Sequence, residues 1–365
     1  MVPEWQEYLQ SQGKGLNDTI IESLLTDSAW INADLNQPFS HQQNKPQSYS
    51  LLANRPCIAD LDQFAILEVD GPDSAKFLQG QLSCHLEEII DQRRIDGVYC
   101  TPQGRTITDF SIIQVHPHRY WLRMHRDVLP HAQSVLAKYI VFYKSQLKPL
   151  DSIILGIWGN GSGQCLHRFF NQSPPQENCF TNLNDNVIVR LNDGGEGERF
   201  ELYLDFESAK ALLQHAESSH QFVPQNVWQA DDILQGRPHI DGHLMEAFPP
   251  QVLNYEELGA INFNKGCYTG QEIVARMHYR GKAKKKSFPL LLPLPAEDIE
   301  PLAPLYLNHK EIGQIYQKVG ISQNRCLALA ILATDAINDA KNNQQAIMIH
   351  SNKAVEVLTL PYTVE

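Results

Sequence analysis

Strand-like and helix-like segments alternate from Cys57 to Gly281 without a regular strand–helix–strand repeat. The strand-like run "FAILEVDG" leads through Pro72 into the helix-like "DSAKFLQGQL", whose apolar residues recur on one face. A second block runs through "SIILGIWG", "NVIVRLN" and "RFELYLD" into the helix-like "FESAKALLQHAE". Such an irregular order predicts an α+β fold with antiparallel sheets.

The two ends of the chain differ from this middle part. Residues 283–365 hold short strand-like runs separated by turn residues, which predicts a small all-β barrel or jelly roll. The first 45 residues are polar, with one weakly helical piece, "DTIIESLLTDSAW", and a linker-like "NQPFSHQQNKPQ". We interpret residues 1–45 as an N-terminal extension to the fold.

Charge and hydropathy narrow the class of protein. The formal net charge of −12 disfavours a protein that coats nucleic acid through bulk charge, although a local basic patch remains compatible with it. No leader-like N-terminus and no apolar run of membrane-spanning length are found. We therefore expect a cytoplasmic protein that does not contact membranes.

Cysteine spacing limits the kinds of covalent or metal site. The seven cysteines are scattered and include no Cys-x-x-Cys pair, which argues against a disulfide framework and against a self-contained zinc or iron–sulfur site. The pair His239 and His243 in "HIDGH" is a weak metal signal, because Pro238 and Gly242 disfavour a helix there. "GNGSG" (159–163) lacks the spacing of a phosphate-binding loop.

The stretch "KGCYTGQE" is the most specific motif of the chain. Gly266 and Gly270 permit close backbone approach around Cys267, and Lys265 could favour the reactive thiolate. A buried thiol in a glycine-punctuated turn is the alternative. Gln271 and Glu272 weigh against pure packing, because polar groups beside a buried turn need partners.

A basic run, "RMHYRGKAKKK", follows this motif. It is a candidate seat for an anion, either a polycarboxylate tail or RNA phosphate, so that residues 276–286 could contact tRNA. A solvated positive edge between domains is the alternative.

Two acidic residues lie on strand-like runs. Asp109 in "TPQGRTITDF" follows Arg105 by four residues and could accept hydrogen bonds from a ligand or act as a general base. A plain ion pair with Arg105 is the simpler explanation. Glu201 in "RFELYLD" alternates with apolar neighbours and could bind an amidine-like N–H pair if it faces a cleft; a side chain that faces water is the alternative.

At "KGCYTGQEIVAR" the sequence resembles the YgfZ family of folate-binding, tRNA-modification-related proteins, which are relatives of the glycine-cleavage T-protein, an aminomethyltransferase. "GPDSAKFLQGQLS", "KYIVFYK" and "FPPQVLNYEELGAINF" resemble family segments in the same order. The resemblance covers about Cys57 to Gly281, the C-terminal β region by position, and not residues 1–45.

The resemblance implies three domains around a central hole that holds a reduced folate: two interleaved α+β lobes and a C-terminal β-barrel. On this pattern, residues 46–68 and 145–225 form the first lobe, and residues 69–144 and 226–282 form the second. The barrel comprises residues 283–365.

The resemblance also implies roles for individual residues. Asp109 matches a functional aspartate of the aminomethyltransferases, although Thr108 replaces its acidic neighbour. Glu201 matches the glutamate that holds the pterin. "LQGRP" (234–238) departs from the family's Glu-Ala-Gly-Ile-Pro, with Leu234 in place of the glutamate and Arg237 as a new residue.

We therefore predict catalytic roles for Cys267 and Asp109 and a tetrahydrofolate or one-carbon derivative as cofactor. The predicted cofactor-binding residues are Glu201, Lys265, Tyr268, Gln271, Glu272, Arg276 and Arg280, with Arg280 and Lys282 attracting the glutamate tail.

The leading interpretation is a folate-dependent accessory protein for iron–sulfur enzymes, including those that thiolate tRNA. A one-carbon transferase using Asp109 and a non-catalytic folate- or tRNA-binding module are the alternatives. Whether the chain is an enzyme stays open at this point.

Overall fold

The structure, a computed structural model, describes residues 2–14, 56–192, 197–281, 283–349 and 353–364, with the backbone but not the side chain of Arg280. The segment "DTIIESLLTDSAW" and the linker after it lie outside these ranges.

The described strands, in chain order, are β1 (Cys57–Asp60), β2 (Phe64–Asp70), β3 (Ile95–Cys100), β4 (Thr106–His116), β5 (Arg119–His125), β6 (Gln146–Leu150), β7 (Ile153–Trp158), β8 (Phe180–Leu183), β9 (Asn186–Arg190), β10 (Arg199–Leu204), β11 (Gln221–Phe222), β12 (Lys285–Leu292), β13 (Pro304–Leu307), β14 (Lys310–Ser322), β15 (Arg325–Ala333), β16 (Ile347–Ile349) and β17 (Lys353–Val357). The described α-helices are α1 (Pro3–Ser11), α2 (Ser74–Gln81), α3 (Leu129–Ile140), α4 (Ser162–Phe170), α5 (Phe206–Ala216), α6 (Gln225–Leu234), α7 (Gln271–Arg280) and α8 (Thr334–Asn342).

These strands form two open sheets and one closed barrel. The six-stranded sheet has the order β11-β1-β7-β10-β9-β8, and the five-stranded sheet has the order β3-β4-β5-β2-β6. The C-terminal barrel closes in the order β12-β15-β14-β13-β16-β17. All pairs are antiparallel apart from β1 with β11. The predicted α+β class with antiparallel sheets and a C-terminal barrel is confirmed.

The chain changes sheets after a short link. Strand β1 belongs to the six-stranded sheet, whereas β2, which begins after residues 61–63, belongs to the five-stranded sheet. Strand β6 also lies in the five-stranded sheet. The limits drawn from the sequence placed residues 64–68 and 145–150 in the first lobe, together with strands of the six-stranded sheet. The structure pairs them in the five-stranded sheet, and the patterns of single strands do not reveal such pairing partners. The domain limits as a whole stay a prediction.

Strand β10 shows how the core is arranged. Phe200, Leu202 and Leu204 alternate along one face and pack in a cluster with residues of α1, α4 and α5. The residues between them, including Glu201 and Tyr203, point to the opposite face, toward the five-stranded sheet. All six residues of the strand are buried, so polar groups lie inside the molecule.

Helix α1 belongs to the folded body. Trp5 and Leu9 are buried in the same cluster as the outer face of the six-stranded sheet. The first residues of the predicted extension are therefore part of the core. None of the helices within the described ranges is long and apolar enough to cross a bilayer.

Candidate functional site

A layer of buried polar side chains lies between the two open sheets. Glu201 on β10 meets Arg123 on β5: Nε and Nη2 of Arg123 donate to Oε2 and Oε1 of Glu201 at 3.1 and 2.9 Å. The Tyr203 hydroxyl donates to Oε2 at 2.9 Å. Glu201 is 1% exposed. Two-point pairing of this kind fixes both side chains, since Arg and carboxylate geometries match.

A second arginine extends this layer toward α6. Nη2 of Arg199 donates to Asp232 Oδ1 at 2.7 Å, and its Nε lies 3.2 Å from Asp231 Oδ2. The guanidinium also lies over the Trp228 ring, 3.9 Å from the centroid. Two carboxylates of α6 thus share one cation from β10.

His239 bridges two carboxylates of this layer. Its Nδ1 lies 3.1 Å from Asp109 Oδ2, and its Nε2 lies 3.3 Å from Asp232 Oδ2. Burial disfavours the imidazolium, but the hydrogen bonds and charges of Asp109 and Asp232 outweigh it and raise the pKa of His239 to about 9. His239 is therefore a cation at neutral pH.

Asp109 is correspondingly held as an anion. Burial opposes its ionisation, but the hydrogen bond and charge of His239, together with the N–H of Ile240 donating to Oδ1 at 2.8 Å, keep the pKa of Asp109 below its ordinary value. A carboxylate stabilised in this way is a weak base. The lowered pKa of Asp109 favours an electrostatic role over proton abstraction.

A cavity of about 380 Å³ opens beside this layer, where the open sheets meet the barrel. Its size lies in the usual range for small-molecule sites. Phe64 forms part of the wall, and its ring contacts the Arg123 guanidinium at 4.2 Å and the His239 ring at 4.9 Å, measured to ring centres. The lining residues used below are Gln63, Phe64, His239 and Tyr316.

The cavity wall has features that suit an aromatic heterocycle. The Gln63 carboxamide is buried, and neither its nitrogen nor its oxygen has a hydrogen-bond partner among the described residues. A ligand edge that reached this group would meet one donor and one acceptor. Two aromatic residues, Phe64 (1% exposed) and Tyr316 (9% exposed), form part of the same lining. Nη1 of Arg123, behind Phe64, is likewise buried and lacks a described partner. The residues present thus fit a pterin-like ring.

The "KGCYTGQE" motif lies elsewhere, on the end of α2. Nζ of Lys265 donates to the carbonyls of Gln79, Leu82 and Cys84 at 2.8, 2.5 and 2.7 Å. Burial lowers the pKa of Lys265 to about 8, but three acceptors use all three hydrogens of the ammonium form. Lys265 therefore caps the helix end, and no hydrogen is left for the Cys267 thiol.

Two further motif residues fix the loop to the protein body. Tyr268 is buried, with the Lys265 ammonium 5.2 Å from its ring centre, and its hydroxyl has no described partner. Gly270 has a φ of +83°, and a Cβ there would lie 2.5 Å from the Thr101 carbonyl. Only glycine fits this contact with the turn between β3 and β4. Gly266 has no such constraint.

Cys267 stands at the surface of this anchored loop. It is the exposed one among the seven cysteines; five are buried and Cys179 is intermediate. The predicted residues that follow lie on α7: Gln271 is half-buried, and Glu272 and Arg276 are exposed and 3.8 Å apart. The side chain of Arg280 lies outside the described part. None of these described residues lines the cavity.

The structure thus separates the predicted site residues into two groups. Asp109 and Glu201 lie in the buried polar layer, whereas Cys267 and the other described motif residues lie at the α2 end and on α7. Arg105 does not pair with Asp109: its Nη1 donates to the Ala247 carbonyl at 2.7 Å.

Sequence reasoning missed most of the partners in the layer. Arg199 lies two residues before Glu201 on β10, and this spacing of two is a signal that polar groups share one face. Asp231 and Asp232 sit among the buried residues of α6 beside Trp228. Arg123 has a weaker signal, since its alternating neighbours read equally well as an ordinary exposed face.

The weaker sequence signals have structural explanations. No group of three or more possible metal ligands occurs in the described ranges, and His239 serves the polar layer instead. At "GNGSG", the N–H of Gly163 in the first turn of α4 donates to Glu198 at 2.7 Å, so a carboxylate of the chain itself takes the anion position. Leu234 is buried, and Arg237 lies 3.9 Å from Asp96.

No protein-family model matches the chain. The tRNA-modifying protein YgfZ of Cronobacter sakazakii is 30% identical over 284 residues, which cover 76% of this chain and 85% of that protein. The protein of the same name from Yersinia pestis is 28% identical over 289 residues, covering 78% and 86%.

A solved structure has the same architecture. The glycine cleavage system aminomethyltransferase T from Bartonella henselae matches with a TM-score of 0.68 at 18% identity, covering 85% of this chain and 87% of that one. At this identity the match shows the fold. The sequence relatives show more: the chain belongs to the family of the tRNA-modifying protein YgfZ.

Proposed function

We propose that the protein is a folate-binding accessory protein of the cytoplasm that supports tRNA modification and iron–sulfur enzymes, including those that thiolate tRNA. The observation that carries the proposal is the cavity beside the buried polar layer, with the unpartnered carboxamide of Gln63 in its wall. A buried polar group without a partner is costly unless a ligand satisfies it. When bound, tetrahydrofolate or a one-carbon derivative of it would carry a one-carbon unit.

The chain's own residues would divide the work of binding. Gln63 would bond to one edge of the ring system, and the ring would lie against the part of the wall that Phe64 and Tyr316 form. Glu201 would contribute by holding the Arg123 guanidinium in place. Direct binding of the pterin by Glu201 would require breaking this buried ion pair, which costs about 3–5 kcal/mol. The glutamate tail is assigned to Arg280 and Lys282 by sequence alone.

The proposed role of Cys267 is separate from ligand binding. Its exposure on a loop anchored by Lys265, Tyr268 and Gly270 suits a thiol presented to another macromolecule. Gln271, Glu272 and Arg276 would belong to this surface rather than to the folate site. We propose that the thiol acts on, or docks, an iron–sulfur protein partner.

One-carbon transfer through Asp109 receives less support. The low pKa of Asp109 beside the His239 cation makes it a poor proton acceptor. Turnover of a methylamine-bearing donor with tetrahydrofolate, abolished in Asp109→Asn, would favour the transferase instead.

Calorimetric titration with tetrahydrofolate and with its formyl derivative tests the cofactor. The wild type should bind one equivalent, and Gln63→Leu should bind more weakly by about tenfold, because a ligand edge would lose its buried partner. If the wild type gives no binding heat with either compound and equilibrium dialysis also detects no complex, the cofactor proposal fails.

Complementation of a deletion strain tests the thiol. Cys267→Ala should fail to restore iron–sulfur enzyme activity and tRNA thiolation, whereas Cys179→Ala, a partly exposed cysteine outside the motif, should restore both. Full restoration by Cys267→Ala would remove the thiol from the account.

A further inference from the structure

Three rings meet on α7 and the loop before it. The rings of Phe263 and His278 are stacked, with centroids 3.8 Å apart and planes at 15°. Nδ1 of His278 lies 2.6 Å from Glu256 Oε1, which fixes the imidazole further. Tyr279 stands on edge to both rings, at 82° to His278 and 72° to Phe263. Two neighbouring rings thus hold the Tyr279 ring at a steep angle to their own planes.

The Tyr279 ring is unusually open to solvent. Its exposed fraction is 69%, although aromatic rings usually bury most of their surface. Phe142 is more exposed still, at 82%, and provides a comparison elsewhere on the surface. What distinguishes Tyr279 is the preformed ring support beneath it and the charge around it.

Cations flank this ring on both sides along the chain. Arg276 precedes Tyr279 by three residues and so lies on the same helix face. Its contact with Glu272 joins two exposed side chains, a kind of pair worth about 0–1 kcal/mol that a phosphate can replace. Lys284 and Lys285 are exposed and form no ion pair with any residue that the structure describes. This is a local positive feature on a chain of net charge −12.

We propose that this aromatic–basic surface, comprising Phe263, Arg276, His278, Tyr279, Lys284 and Lys285, binds single-stranded RNA. One unpaired base stacks on Tyr279, while Arg276 and the two lysines contact the phosphates on either side. The inference rests on the proposed role in tRNA modification and names the part of the substrate that the protein would recognise.

The combination of groups selects this partner. A stacking ring with flanking cations is the arrangement by which proteins bind unpaired nucleotides, because every base has a π-face and every linkage a charge. A duplex hides its base faces and could use only the cations. A charged surface with one exposed ring offers little contiguous apolar area for a protein partner.

The position of the surface also relates it to the thiol. Helix α7 rises about 1.5 Å per residue, so Tyr279 lies about 12 Å along the helix from Gln271, where the Cys267 loop ends. A strand that stacks on Tyr279 and continues toward the helix N-terminus passes Arg276 and then the Cys267 loop. RNA bound in this way would lie beside the exposed thiol.

Fluorescence anisotropy with a labelled 12-nucleotide oligoadenylate and a 12-base-pair RNA duplex tests the proposal. The wild type should prefer the single strand. Tyr279→Ser should weaken oligoadenylate binding by about 5- to 150-fold and leave duplex binding unchanged, since one stacked base is lost. Tyr279→Phe should keep the affinity, and Phe142→Ser serves as the matched control of an exposed ring and should match the wild type.

The lysines have their own signature. Replacing both in Lys284→Gln/Lys285→Gln should reduce the slope of log affinity against log salt by about 1.4, the value for two phosphate contacts on a single strand. An unchanged slope would contradict their assignment.

Several results would overturn the proposal. Equal affinity for oligoadenylate in wild type and Tyr279→Ser, equal loss in Tyr279→Phe, or no preference for the single strand would each do so. If Tyr279→Ser failed to complement a deletion strain yet kept its RNA affinity, the surface would contact a protein instead. Tetrahydrofolate titration separates this inference from the cofactor proposal, because Tyr279 lies outside the cavity. Absence of folate binding by the wild type refutes that proposal alone.

Discussion

The buried polar layer and the motif loop use charged residues in opposite ways. In the layer, Glu201 pairs with Arg123 and His239 pairs with Asp109, and Arg123 and His239 both contact the Phe64 ring in the wall of the cavity. In the loop, Lys265 donates hydrogen bonds to three backbone carbonyls, and the Cys267 thiol stays exposed to solvent. The comparison teaches that one region pairs its charges with one another beside a cavity, whereas the other uses its charge on the backbone and leaves a thiol exposed.

The largest effect should come from breaking the layer. Glu201→Gln leaves Arg123 buried without a counter-charge and should lower the free energy of unfolding by about 3–5 kcal/mol. Glu272→Gln is the matched control, because its pair with Arg276 is exposed and should matter by less than about 1 kcal/mol. Urea unfolding with unchanged slope measures both. Similar losses in the two variants would contradict the distinction between the regions.

Replacing Lys265 of the motif should lower the free energy of unfolding somewhat less. Lys265→Met leaves three carbonyls at the end of α2 without their donor and should lower the free energy of unfolding by about 2–4 kcal/mol. Hydrogen exchange should increase selectively in residues 79–84 and 264–270. Lys284→Met, on the exposed surface, should change neither quantity. Normal protection in Lys265→Met would show that the cap is not what anchors the loop.

The pH dependence of stability should reveal the state of His239. Its pKa is about 9 in the folded protein and near 6.5 in the unfolded chain, so its stabilising contribution is complete below about pH 6.5 and is lost as the pH rises through 9. The loss should amount to about 1–3 kcal/mol.

The comparison with His239→Gln isolates that contribution. Lys265, whose folded pKa is lowered to about 8, titrates in a similar pH range, and its effect on the free energy of unfolding increases with pH whereas that of His239 decreases. This effect is common to both proteins. The difference in unfolding free energy between wild type and His239→Gln should therefore shrink from pH 6.5 to pH 9. A difference independent of pH would mean that His239 is neutral in the folded state.

The smallest effect on stability belongs to the exposed thiol. Cys267→Ser should change the free energy of unfolding by less than about 0.5 kcal/mol, as expected for a surface position. Iodoacetamide followed by peptide mass analysis should label Cys267 first in the native protein. Preferential labelling of Cys84 or Cys100, which are buried thiols whose pKa is raised to about 12 by burial, would contradict the exposure of the loop.

The fold was more predictable than the contacts of the site. Alternation in "RFELYLD" predicts a strand with Glu201 on its polar face, and strand β10 has that arrangement. The partners of Glu201 and Asp109 lie 78 and 130 residues away, and no local pattern encodes such pairing. The acceptors of Lys265 are backbone carbonyls, which have no side-chain signature at all. The family resemblance was recognisable because the motif itself is short and contiguous.

The most direct test of the two-region account compares tetrahydrofolate affinity in Gln63→Leu and Cys267→Ser by calorimetry. Both changes avoid the buried ion pairs, so folded protein should be obtained in each case. We predict that Cys267→Ser binds as the wild type does and that Gln63→Leu binds about tenfold more weakly. Weakened binding in Cys267→Ser with unchanged binding in Gln63→Leu would contradict the account, because it would place the ligand at the motif loop.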